Sequence, residues 1–423
     1  MTRSGTGPAR AGLSDTGPSG TGLIRSGPLR YATAERFGRP RAVPAGDTRP
    51  AGGEICPQPP SRLDAVMGPP HDSRPQGEDC LQLTVTTPAR DDGARPVLVW
   101  FHGGGFSSGS GLLDWYDGGA LAAEGDVVVV GVNYRLGALG YLCLDGVSEG
   151  NLGLYDQLEA LRWVREHIAG YGGDPGSVTV FGQSAGGISI RLLMEMDEAR
   201  GLFHRAVLQS APLALAERSR EDAEALGRIF AEHLAARGES PWTAGHAALL
   251  DAQRETAVAH GRRSGSTLEP PFGPVAGVLG RDGAAFGGNV RGLDVLYGWN
   301  ADDMTAFPGE QGDPAELTAL TYAAPLAELG GRLVRAGARV HSYRLDWRPA
   351  GSALGATHCV ELPLLLGGRD AWQGAPMLGD TPWEEVAALG AALRATWLGF
   401  ARTGVPGAAP EPLHCAEGPV PVP

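Results

Sequence analysis

Phe181-Gly182-Gln183-Ser184-Ala185-Gly186-Gly187 sets a serine between the end of an apolar strand and the start of an apolar helix. Val178, Val180 and Phe181 read as a buried strand, and Ile188, Ile190, Leu192 and Leu193 open a helix directly after the turn. Glycines at 182 and 186 remove the Cβ atoms that would collide where strand and helix converge, so the turn can push the Ser184 side chain out of the fold. The helix N-terminus then turns its partial positive charge toward whatever the serine attacks. A chain with 65 Gly produces such short patterns by chance, so two further requirements bear on the reading. A serine hydroxyl needs an adjacent base, usually a histidine oriented by a carboxylate, and the oxyanion it creates needs preorganised donors.

Donors stand after another strand. Arg95 to Phe101 carries the run Val97-Leu98-Val99-Trp100, as expected of a buried parallel strand, and ends in His102-Gly103-Gly104-Gly105-Phe106. Three successive glycines leave backbone N–H groups bare, and two of them with a third from the residue after Ser184 can hold a tetrahedral oxyanion. The alternative reading is a flexible turn. Strands at 126–132 and 205–209 and a helix over 154–169, striped by Leu154, Leu158, Leu161, Val164 and Ile168, complete a βαβ rhythm. That rhythm predicts a mostly parallel sheet with helices on both faces.

With these motifs the chain resembles the type B carboxylesterases and cholinesterases of the α/β-hydrolase superfamily. Glu78-Asp79-Cys80-Leu81, Asn133-Tyr134-Arg135-Leu136-Gly137, Gly150 to Gln157, Gly172-Gly173-Asp174-Pro175 and Phe400 to Gly404 fit the same family, so the resemblance covers most of residues 30 to 405. It implies an α/β-hydrolase fold and oxyanion donors at the N–H groups of Gly104, Gly105 and Ala185. In the Ser, acid, His order of that fold, His358 has the right setting, in Gly355 to Pro363 after a strand at Val340–Trp347. Cys359 stands where the family usually has glycine. His341 is the competitor, but it alternates inside the strand pattern.

The acid is expected at Asp303, in Asn300-Ala301-Asp302-Asp303-Met304 after a strand at Leu293–Trp299, with Asp302 as the runner-up. The family usually has glutamate at the first choice, and aspartate is one methylene shorter, so its loop must come closer to the ring. Ser210 matches a family serine that supports the triad from behind. The resemblance also pairs Glu78 with Arg36 and Arg135 with Asp156, and it matches Cys56 and Cys80 to a disulfide of secreted members.

The 423 residues, 42% hydrophobic, can bury a large core, and the motifs spread over nearly all of them. No run of 18 apolar residues marks a membrane span. A net charge of −13 argues against nucleic-acid and anionic-membrane partners. All 35 basic residues are Arg, which removes Ser-Lys chemistry. The N-terminus carries Arg3 and Arg10 but no apolar h-region, so no signal peptide is expected, and in a cytoplasmic setting the five cysteines would stay reduced.

The expected organisation has a mobile Gly/Ser/Pro-rich N-terminus over 1–30, one catalytic domain over 31–405 and a Pro-rich tail over 406–423 that lacks a closing strand pattern. A shortened helical cap is expected at about 219–262 and 305–337. It predicts an open gorge tolerant of varied esters. No aromatic residue lies between Cys56 and Cys80, where the family's cholinesterases carry a tryptophan for a quaternary ammonium. The expected activity is therefore hydrolysis of uncharged carboxylic esters through Ser184, His358 and Asp303, without cofactor or metal, acting on a small-molecule ester. A catalytically impaired relative or a binding protein of the same fold is the alternative, and amides and carbamates stay open as substrates.

Overall fold

The computed structural model describes residues 15–16, 22–44, 51–71, 73–215, 217–266, 268–276, 286 and 289–419. Ten strands form the main sheet: β1 (Asp15–Thr16), β2 (Ile24–Arg30), β3 (Gln82–Thr87), β4 (Arg95–Phe101), β5 (Val128–Val132), β6 (Gly173–Gln183), β7 (Arg205–Gln209), β8 (Asp294–Asn300), β9 (Arg339–Leu345) and β10 (Leu413–Glu417). Their spatial order is β1-β2-β3-β5-β4-β6-β7-β8-β9-β10. The centre, β5 through β9, is parallel, while β1, β2, β3 and β10 run antiparallel to their neighbours.

Alternation along β4 builds two cores at once. Val97, Val99 and Phe101 face one cluster, and Leu98 and Trp100 face the other. Over the first face lie α1 (Leu152–His167), α2 (Ala185–Leu193) and, after α3 (Arg220–Ala235) and α4 (His246–Ser264), α5 (Ala324–Arg335); α6 (Trp383–Thr403) covers the second. The expected stripe of Leu154, Leu158, Leu161, Val164 and Ile168 is fully buried, so α1 forms where its apolar period predicts.

Three expectations change. Ile24–Arg30 is a sheet strand paired with β3 rather than part of a mobile terminus, and residues 1–14 and 17–21 lie outside the described residues. Ile-Arg-Ser-Gly-Pro-Leu-Arg lacks apolar alternation because only Ser26 of this stretch is buried. The tail does supply a closing strand, Leu413–Glu417, which pairs antiparallel with β9 and buries Leu413. The second half of the 305–337 segment is no cap. It is α5, the crossover helix between β8 and β9, whose Leu326, Leu329 and Leu333 pack on the sheet.

Both expected charge pairs form. Arg135 Nε and Nη2 donate to the two Asp156 oxygens at 2.8 and 2.6 Å, and the Arg135 N–H adds a third bond at 3.0 Å. The side chains are only 5% and 0% exposed, so neither charge can fall back on water. Arg36 meets Glu78 in a half-buried pair. Burial alone would push the Glu78 carboxyl up, but Arg36 and the His246 ring hold it below its ordinary value. Cys56 and Cys80 lie side by side as free thiols, closing the base of the loop between them, and the Leu136 N–H donates to Cys56 Sγ at 3.2 Å.

Asp156→Ala should lower stability by about 3–5 kcal/mol, because it strands Arg135 without a counter-charge. Arg135→Met with Asp156→Leu should cost clearly less than Asp156→Ala in urea unfolding. Equal losses would show that the pair contributes only its packing.

Candidate active site

The site is assembled from the C-terminal ends of five strands. β4 runs into the glycine loop, β6 ends at Ser184, β7 at Ser210, β8 at Asp303, and β9 leads through a loop to His358. The turn at Ser184 is as tight as its sequence requires. A Cβ on Gly186 would stand 2.0 Å from the Phe101 carbonyl oxygen, so the first turn of α2 rests directly on the end of β4. Ser184 is held at φ 54° and ψ −119°, a conformation that costs a non-glycine residue about 1–3 kcal/mol. Its N–H donates to the Gln209 carbonyl at 2.8 Å, which ties the strained turn to β7.

His358 and Asp303 meet inside the protein, 1% and 0% exposed, with 2.7 Å between Nδ1 and Oδ1. A carboxylate can only accept, so Nδ1 carries the proton and Nε2 of the neutral ring is bare. The shorter aspartate thus reaches the ring. Its second oxygen accepts from Ser210 Oγ and from the Asn300 N–H, each at 2.9 Å. Asp302 points elsewhere. It pairs with Arg348 at 2.8 and 3.0 Å and accepts from the Ala356 N–H at 2.8 Å, so it anchors the loop that carries His358. His341 stays in β9, away from the site.

Ser184 is 9% exposed, and among the described residues no hydrogen bond joins its hydroxyl to His358. Instead the Gln183 side-chain amide lies 3.0 Å from His358 Nε2 and 3.3 Å from Cys359 Sγ. Cys359 adopts φ +75°, the backbone region in which the family's glycine would sit without strain. The N–H groups of Gly104, Gly105 and Ala185 donate to no backbone acceptor among the described residues. Gly104 and Gly105 take φ +108° and +59°, which turns successive amides to one side of the loop.

A cleft opens over Ser184, Gly104 and Gly105. Phe106, Ile188, Leu215, Leu268, Phe307 and Tyr322 make it largely apolar. Phe307 and Tyr322 also flank the His358 ring, with centroids 5.5 and 5.4 Å away. Tyr322 lies on a single π-turn, Ala319–Ala323, so the first half of the 305–337 segment does wall the cleft. Helices α3 and α4 do not line it. They pack on each other, and the chain beyond them delivers Leu268 and Pro270.

Comparison with known proteins fits this geometry. A profile of the carboxylesterase family matches residues 29–278. The chain is 41% identical over 404 residues to a probable N-octanoylanthranilate hydrolase of Rhodococcus erythropolis, covering 89% of this chain and 88% of that one. This chain belongs to the carboxylesterase family. The esterase is 33% identical to the para-nitrobenzyl esterase of Bacillus subtilis, covering 84% of this chain and 79% of that one. A para-nitrobenzyl esterase structure superposes with a TM-score of 0.82 at 28% identity, over 94% of this chain and 91% of that one. The Geobacillus stearothermophilus carboxylesterase gives 0.76 at 30% identity, over 93% and 89%. The α/β-hydrolase fold expected from the motifs is the fold of this esterase.

Four residues around the site carried no assigned role in the sequence. Gln183 was legible as the neighbour of Ser184, but its contact with His358 was not. Asn300 donates from its amide to Glu361 Oε2 at 2.6 Å while its N–H serves Asp303, so one residue braces two buried carboxyl groups. Burial, with Asp303 nearby, pushes the Glu361 carboxyl above its ordinary value. Arg62 reaches the cleft from the loop between the two cysteines, and no motif marks it. No helix among the described residues is long and apolar enough to cross a membrane, and no cluster of metal-ligating side chains occurs among them.

His102 supports the glycine loop from beneath. It is fully buried, stacks on Tyr134 at 4.3 Å between ring centroids, and its Nδ1–H donates to the Gly103 carbonyl at 2.7 Å. Burial pushes its pKa down to about 4 from 6.5. Between these values the unfolded chain binds more protons than the folded one, so stability is fully present above about pH 6.5 and is lost as pH falls toward 4. Urea unfolding from pH 7 to pH 4 should show this loss in the native protein and a smaller one in His102→Asn. Identical slopes would remove His102 as the cause.

Proposed function

We propose that this carboxylesterase hydrolyses carboxylic esters through an acyl-enzyme, with Ser184 as nucleophile, His358 as base and acid, and Asp303 as the orienting carboxylate. The observation that carries the reading is the buried His358–Asp303 hydrogen bond at the sheet edge where Ser184 stands. The neutral ring keeps its proton on Nδ1, which leaves Nε2 to accept one. Substrate entry displaces the Gln183 amide from Nε2, and the serine hydroxyl takes its place. Contacts of this kind commonly tighten only in the substrate complex.

Ser184 Oγ attacks the ester carbon and its proton passes to His358 Nε2. The carbonyl π bond opens to an oxyanion, held by the N–H groups of Gly104, Gly105 and Ala185 and by the N-terminus of α2. Asp303 stabilises the imidazolium, and Ser210 and the Asn300 N–H keep that carboxylate in line. The tetrahedral species collapses, the bond to the alcohol oxygen breaks, and Nε2 returns the proton to the leaving oxygen. Water then repeats both steps on the acyl-serine, releasing the acid and restoring Ser184. Phe307 and Tyr322 keep bulk water from the ring while this happens.

The relative from Rhodococcus is named for an N-acyl substrate, which supports N-acyl bonds as a second substrate class for the same groups. Rates on a p-nitrophenyl ester and a p-nitroanilide of one acyl chain separate the two classes.

The native protein should be labelled by a fluorophosphonate and should turn over p-nitrophenyl butyrate. Ser184→Ala should lose both. Asp303→Asn should keep the fold and lower kcat about 10⁴-fold by favouring the wrong tautomer. Unchanged turnover in the alanine variant would remove Ser184 as the nucleophile, and a fully active Asp303→Asn would move the orienting role to another carboxylate.

A further inference from the structure

We propose that the cleft selects esters bearing a carboxylate close to the scissile bond, and that Arg62 is the residue that recognises it. The inference rests on the serine-esterase reading above and names its substrate class. It departs from the sequence expectation of an uncharged ester.

Among the described residues that line the cleft, Arg62 is the one ionised side chain; the others are apolar, glycine, serine or tyrosine. Its position is close to the chemistry. A Cβ added to Gly105 would lie 2.6 Å from Arg62 Nη2, so the guanidinium stands directly against the residue whose N–H is proposed to hold the oxyanion. Glycine at 105 is what lets it come so near. From the other side of the group, Nη1 donates to the Leu268 carbonyl at 3.3 Å, which fixes the fork across the cleft from the loop between Cys56 and Cys80.

The guanidinium is exposed where it lines the cleft, so an entering anion can reach it without further rearrangement. A guanidinium remains charged throughout the working pH range, and the Glu310 carboxylate acts on it through space. A substrate carboxylate therefore competes with Glu310 for the attraction of this cation. A guanidinium has five donors, so a substrate carboxylate can take two parallel hydrogen bonds while the contact with Leu268 persists. The planar fork favours carboxylate geometry over a single neutral acceptor, and it repels a cationic ester. Because Nη2 abuts Gly105, the carboxylate belongs near the scissile carbonyl, as on an aromatic ring that carries both groups.

The test compares 2- and 3-butyryloxybenzoate with their methyl esters, read as phenol release from the same enzyme preparation, so that any general loss of activity cancels in the ratio. The native protein should favour the better acid over its methyl ester by at least about 10-fold in kcat/KM, mainly through KM. Arg62→Gln should reduce that ratio about 10- to 100-fold, and Arg62→Lys should retain part of it. Glu310→Gln should raise it by removing the competing charge. A native ratio at or below one, or a ratio unchanged in Arg62→Gln, would overturn the inference while leaving the esterase reading intact. Absence of butyrate release from any of the four esters, with no fluorophosphonate labelling of Ser184, would overturn both.

Discussion

The site depends on one close approach, that of Gly186 to the last carbonyl of β4. Phe101 O lies 2.0 Å from where a Cβ of residue 186 would be, so α2 begins on top of the strand rather than beside it. That contact bends the chain at Ser184 into its strained conformation and aims the Ala185 N–H toward the same space as the glycine loop leaving β4. Ser184 and the proposed oxyanion donor Ala185 are therefore placed by a single packing contact between backbone atoms. Two apolar clusters clamp the sheet from both faces and hold that contact in place.

Behind the histidine, two carboxyl groups are buried within reach of one asparagine. Asp303 collects hydrogen bonds from Ser210 and Asn300, as a buried anion must. Glu361 is met by Asn300 and, at 3.3 Å, by Gln209, and burial drives it toward its neutral form. A neutral Glu361 would spare the interior a second negative charge beside the first.

Residues whose role follows from backbone shape were legible in the sequence. Gly182 and Gly186 flanking Ser184, the glycine run after Trp100-Phe101, and the apolar stripe of α1 each state a local geometry that tertiary contacts then keep. His358 and Asp303 were legible through chain order and resemblance, and the structure brings them to 2.7 Å. The rest was hidden because it depends on contacts distant in the chain. β2 and β10 pair at the sheet's flanks with mixed polar sequences, so no period of two reveals them. α5 looked like cap material because a helical stripe cannot say which surface it covers. Asp302 and Asp303 are adjacent in sequence, and only the turn after β8 decides that one faces Arg348 and the other His358.

Arg62 poses the reverse problem, a charge with no local signature in a protein whose overall charge opposes the anionic ester proposed for it. At −13 the enzyme repels an anion at long range. At physiological ionic strength that field is screened beyond about 8 Å, so it acts little on an ester already at the cleft. An anionic ester would therefore gain little from steering and most of its recognition after entry, through the two parallel hydrogen bonds a guanidinium can give a carboxylate. Selection of this kind acts on the lifetime of the bound ester rather than on its arrival. On the proposed reading, the apolar lining from Phe106 to Tyr322 serves the ring chemistry while the exposed Arg62 at its side serves substrate choice, so the two demands fall on different residues of one cleft.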